Sequence, residues 1–206
     1  FSVLTGRYSG SPESMFDLDV RQMDERPFAE YLQEKEEADL SDAFWSASLV
    51  QSLNSSVSSS PYFHTYLASQ VKANDKGFLS KEITIGDLIT YRGDIHHIFP
   101  KNYLKKNGLA RGKYNQIANY VYMQQEVNIQ VGDKSPEVYF DELIKQCDSQ
   151  ELKYGAINSI SELHENLKSN CIPETVFDMN IDNYDEFLLQ RRKRMADKMK
   201  QYYYNL

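Results

Sequence analysis

Apolar positions along the chain fall into three patterns. Between Glu13 and about Ala73, Phe28, Tyr31 and Leu32, and then Phe44, Trp45 and Leu49, recur at three- and four-residue spacing among acidic residues, which predicts helices. Pro27 and the serine-rich run NSSVSSSP (54–61) divide this stretch into segments. From about Ile83 to Cys147 the pattern changes. ITIGDLI, DIHHIFP and NYVYMQQEVNI are short and rich in β-branched and aromatic residues, which predicts strands. SPEVYFDELIKQC then predicts a helix, with Ser135 as N-cap, Pro136 at the first helical position, and Tyr139, Phe140, Leu143, Ile144 and Cys147 on one apolar stripe. From about Ser159 the period is helical again. In the last segment, DEFLLQRRKRMADKMKQYYYNL, the buried face is predicted to be Phe187, Leu188, Met195, Met199 and Tyr202. Arg191, Arg192, Lys193, Arg194, Lys198 and Lys200 are left to solvent.

This order predicts an α+β fold, mostly helical, with a small hairpin-plus-helix core at 82–150 flanked by helical segments at 1–81 and 151–206. Hydrophobic residues make up 41% of the 206, enough for these three stretches to form one compact unit. The acidic run EKEEADLSD reads as a solvated helix face. Cys147 and Cys171 have neither metal-site spacing nor the density of a disulfide scaffold, and are expected to be free thiols. No stretch approaches the roughly 18 apolar residues of a membrane span, and no signal peptide is visible. The expected location is cytoplasmic. Because the chain opens with Phe1, it is expected to be a piece of a longer polypeptide.

Charge changes the picture in one place. The chain carries 23 Lys and Arg against 30 Asp and Glu, a net charge of −7, so a general attraction to nucleic acid or anionic membrane is not supported. Any polyanion site must be local. Between Arg92 and Lys113, however, Arg92, Lys101, Lys105, Lys106, Arg111 and Lys113 face a single acid, Asp94. This basic stretch surrounds the adjacent pair His96 and His97. An imidazole can take a proton from water near neutral pH and can also ligate a divalent ion. Asn119 and Asn128 follow in the second predicted strand, and an Asn carbonyl is an acceptable ligand for a hard cation. A base, a cation and local positive charge together suit phosphodiester hydrolysis. The bland reading is an ordinary His pair and two strand-end Asn residues. Neighbours on a regular strand also point to opposite faces, so both histidines serve one site only if the strand is distorted or ends there, for which Pro100 gives a reason.

DIHHIFP, then NYVYMQQEVN, then a helix after GDKSP, resembles an HNH nuclease of the ββα-metal (His-Me finger) superfamily. The wider frame, LTGRYSGSPES (4–14), DIHHIFPKNYL, YNQIANYVYMQQEVNIQVGDKSPEVYF and FLLQRRKRMADKMKQYY, is similar to the C-terminal half of a prokaryotic family. That family pairs a ParB/sulfiredoxin-like NTPase domain with an HNH domain, as in modification-dependent restriction systems of the GmrSD kind. The resemblance implies His97 as general base and Asn119 as the residue bracing the connecting loop. It implies His96 and Asn128 as holders of a divalent metal, Mg²⁺ or else Mn²⁺. Lys101, Lys105, Lys106, Arg111 and Lys113 would hold the DNA backbone. Asp94 reads as structural, and Asp133 has no assigned role. The expected activity is an endonuclease that nicks DNA, leaving 5′-phosphate ends, in defence against foreign or modified DNA. The expected partners are DNA and an N-terminal NTPase domain of the same polypeptide. Two rivals stay open: a non-catalytic helical module that binds DNA or protein, and a nuclease acting on RNA.

Overall fold

The computed structural model describes residues 1–91 and 93–206; Arg92, the first residue of the basic stretch, lies outside the described residues. Helices dominate. The N-terminal part consists of α1 (Ser2–Thr5), α2 (Pro12–Glu25), α3 (Phe28–Asp39), a π-helical turn at Phe44–Ser48, α4 (Leu49–Ser52) and α5 (Pro61–Lys72). Proline sets these limits. Pro12 and Pro61 occupy first helical positions, where a missing N–H costs nothing, and Pro27 separates α2 from α3.

The middle contains α6 (Ile85–Thr90), β1 (Ile95–His97), α7 (Lys101–Lys106), α8 (Arg111–Tyr114), β2 (Tyr120–Tyr122), α9 (Gln125–Val131) and α10 (Pro136–Ser149). β1 and β2 form a two-stranded antiparallel ribbon with Ile95 opposite Tyr122, His96 opposite Val121 and His97 opposite Tyr120. Two strand predictions are corrected here. ITIGDLI is the helix α6, because Thr84 and Asp87 form a capping box: Asp87 N donates to Thr84 Oγ1 at 3.0 Å and Thr84 N to Asp87 Oδ2 at 2.9 Å. NYVYMQQEVNI is strand only through Tyr122. Its second half turns into α9, which buries Val127 and Val131 one helical turn apart. The helix that completes the hairpin is therefore α9 and not α10, and Asn128 sits on it.

The chain closes with α11 (Ile160–Ser169) and the long α12 (Tyr184–Tyr204). One continuous apolar cluster runs from Leu4 to Met199 and takes in Trp45, Phe63, Phe99, Val121, Phe140, Leu163 and Phe187. The ribbon is therefore packed into the same core as the helices on both sides. Each such fully enclosed side chain contributes about 2 kcal/mol.

Arg191 departs from its predicted place in solvent. Its side chain is 0% exposed, and its guanidinium donates to Ala118 O (3.0 Å), Tyr120 O (2.7 Å) and Asn170 O (3.3 and 3.1 Å). These carbonyls lie at the start of β2 and the end of α11, where the backbone leaves acceptors without ladder partners. The planar fork of an arginine reaches all three. Lys198 is also drawn in, paired with buried Asp75 at 2.6 Å. Tyr202 and Ile144, expected in the core, are half-buried, and Phe28 is exposed.

Candidate functional site

β1 and β2 are joined by residues 98–119, a connection long enough to contain α7 and α8. Asn119 holds this connection closed. Its Oδ1 accepts from Phe99 N at 2.8 Å, and its Nδ2 donates to Phe99 O at 3.0 Å and Tyr114 O at 3.3 Å. The two bonds to Phe99 tie one end of the connection to the other, and the bond to Tyr114 braces the segment that leads into β2. Asn119 is 0% exposed, so it positions its neighbours and touches no ligand itself. Ile98 N donates to Asn119 O and extends the ladder one bond past His97.

His97 is half-buried on the side of the ribbon that carries Tyr120, with the two rings edge to face at 5.2 Å. Its Nε2 lies 3.0 Å from Asn115 Oδ1. An amide oxygen only accepts, so Nε2 carries the hydrogen and Nδ1 the lone pair. Nδ1 has no hydrogen-bond partner among the described residues and is not one of their fully enclosed unpaired atoms. Burial lowers the pKa of His97; the bond to Asn115 opposes this, and the charges of Lys101 and His96 add to it. The ring is therefore a neutral base at neutral pH. Asn115 was not singled out in the sequence. No local signal marks it, because its role shows only in the contact with His97, 18 residues away along the chain.

His96 stands next to it in a different setting. Its Nε2 is enclosed and lacks a hydrogen-bond partner among the described residues. Burial lowers its pKa, while the nearby charge of Asp94 pulls the other way. The strand pairing is regular through His97, so alternation sends the two imidazoles to opposite faces of the ribbon. β1 pairs only with β2 among the described residues, which leaves its outer edge as the line both rings flank.

Asn128 lies on α9, half-buried, and its side-chain amide makes no hydrogen bond among the described residues. Among the described residues no group of three or more His, Cys, Asp or Glu is placed to hold a metal ion. A cation held by His96 and Asn128 would have two protein ligands and would keep waters for the rest, as Mg²⁺ commonly does. An imidazole nitrogen and an amide oxygen are donors of the type that set uses, and His96 Nε2 is enclosed in this structure.

The basic residues all lie on the connection between the strands. Lys101, Lys105 and Lys106 are on α7, and Arg111 and Lys113 on α8; all five are exposed. Lys106 is paired with Asp133, so part of its charge is neutralised within the protein. The Lys101 ammonium stands 5.8 Å from the centre of the Tyr114 ring. His64 is exposed, and His164 bonds Glu174 at 2.7 Å, away from the hairpin.

The chain is 24% identical over 219 residues to an uncharacterized protein of Methanocaldococcus jannaschii. The match takes in 96% of this chain and 35% of that protein, so the chain spans about a third of the length of the curated relative it matches. No family model matches it, and no solved structure does. No helix among the described residues is long and apolar enough to cross a membrane.

Proposed function

We propose that this chain is an HNH-type endonuclease unit that hydrolyses DNA phosphodiester bonds with the aid of a divalent cation, one strand per site, in defence against foreign or modified DNA. The observation that carries the reading is the state of His97. Its Nε2–H is committed to Asn115, its Nδ1 is unpaired among the described residues, and its neighbour His96 has an enclosed, unpaired nitrogen. His97 takes the proton from a water aligned with the phosphorus, and burial keeps the ring neutral for that task. His96 and Asn128 hold the cation, Mg²⁺ or Mn²⁺. When bound, it supplies Lewis-acid stabilisation of the charge developing on the phosphate and its leaving oxygen.

Because the histidines occupy opposite faces, one phosphate is served by both only along the open edge of β1. The short ribbon and its two-strand width support that approach. Asn119 fixes the connection that carries Lys101, Lys105, Lys106, Arg111 and Lys113, and these residues hold the backbone without reading bases. An N-terminal NTPase domain in the same polypeptide is the proposed partner, in keeping with a relative about three times as long.

The reading is tested by incubating the chain with supercoiled plasmid in Mg²⁺ or Mn²⁺ and resolving nicked from closed circles. Nicking that vanishes with chelator and in His97→Ala is expected. Equal nicking by the folded variant would overturn the role of His97. Parallel digestion of RNA distinguishes the substrate.

A further inference from the structure

Carboxylates are unevenly distributed. The chain carries 30 Asp and Glu, yet none occurs from Ala43 to Asn74 or from Ile95 to Gln125. The second of these stretches is the hairpin with its basic connection. The first contains the serine-rich loop 54–60, and the fold brings the two together. Ile117 N donates to Ser55 O at 2.8 Å, and the Tyr120 hydroxyl donates to Ser56 O at 3.1 Å. Tyr120 is the residue against which His97 packs, and the positive charge of Arg111 acts on its hydroxyl. From the other side, Arg192 of α12 donates to Asn54 Oδ1 at 2.8 Å.

The loop is thus held at its base and open at its tip. Ser60 N donates to Val57 O, closing a turn whose outer residues, Ser58 and Ser59, are exposed. Among the described residues neither their hydroxyls nor their backbone N–H groups have a partner. Here small neutral donors adjoin a basic segment, and neither stretch of chain carries an acid of its own.

We infer that loop 54–60 is a second wall of the nucleic-acid site, lying beside His97 across Tyr120, and that Ser58 and Ser59 contact the phosphate backbone of the substrate. The inference rests on the nuclease reading and extends it to a segment outside the hairpin. Such contacts position the strand without specifying sequence. They also make the loop sensitive to added negative charge, since two carboxylates at the tip would sit against phosphates.

The test measures equilibrium binding of a fluorescein-labelled DNA duplex, without added metal, by His97→Ala protein in three forms. One has no further change, one carries Ser58→Glu with Ser59→Glu, and one carries Lys145→Glu, an equal change of charge on the exposed surface of α10. Thermal unfolding confirms that each is folded; Ser58 and Ser59 make no side-chain hydrogen bonds among the described residues. Weakening of roughly tenfold in the serine variant, with a much smaller effect of Lys145→Glu, is expected. Unchanged affinity in the serine variant, when the parent binds, overturns the inference and leaves the nuclease reading standing. Equal weakening by Lys145→Glu overturns it too, by showing an effect of net charge alone. Failure of the parent to bind, together with failure of the unmodified chain to nick, overturns both.

Discussion

His97 Nε2 lies 3.0 Å from Asn115 Oδ1, and that one bond decides which nitrogen of the ring carries the lone pair. Asn115→Ala frees the ring to take either tautomer and should reduce nicking about a hundredfold while leaving the fold intact. Asn115→Asp is more informative. A carboxylate facing Nε2–H favours the imidazolium, so the acid limb of the pH–rate profile should move up from its position in the unmodified chain. A residue that merely fills space would lower activity without moving the limb.

Burial lowers the pKa of both His96 and His97 from the ordinary 6.5. Below that value the unfolded chain binds more protons than the folded one, so stability falls as pH falls through and below it. The urea midpoint should therefore drop on passing from above 6.5 to below it. The drop should be smaller in a His96→Gln, His97→Gln double variant. Parallel curves for the two proteins would contradict the burial described here.

Arg191 satisfies three backbone carbonyls at the start of β2 and the end of α11 with no solvent access. Arg191→Leu leaves those acceptors buried and unpaired, at a cost of about 3 kcal/mol or more. Arg191→Lys should restore little, since an ammonium cannot span both sites. Chemical denaturation checks this, and a leucine variant as stable as the parent would contradict it.

Of the basic residues on the connection, Lys106 is paired with Asp133 and Lys105 is not among the ion pairs of the described residues. Lys105→Ala should therefore reduce the slope of log affinity against log salt by about 0.9. Lys106→Ala should reduce it less, because its release also frees Asp133. Fluorescence titrations at several salt concentrations separate the two, and a larger loss at Lys106 would count against phosphate contact by α7.

The mostly helical α+β fold and the position of the hairpin were legible in the chain. The short β-branched and aromatic segment DIHHIFP and the proline-bounded helices carry that information locally. Four features were not legible. The Thr84–Asp87 capping box outweighed the β-branched composition of ITIGDLI, and composition alone does not weigh a cap. The amphipathic pair Val127 and Val131 was hidden inside a run that began as a strand, which placed Asn128 on the wrong kind of element. Arg191 looked like one more base in QRRKR. Only the tertiary packing of α12 against β2 reveals which of the four finds carbonyls to solvate it. Asn115 escaped for a similar reason: its meaning depends on a contact across 18 residues of chain.

Plasmid nicking as a function of pH, with Mg²⁺ or Mn²⁺ held saturating, reads both the protonation state of His97 and the need for it. Cation-dependent conversion of supercoiled to open circles is expected to persist below the ordinary histidine value of 6.5, to fail only at lower pH, and to be abolished by His97→Ala. Nicking that is retained in folded His97→Ala protein, or an acid limb lying above 6.5, would contradict this expectation.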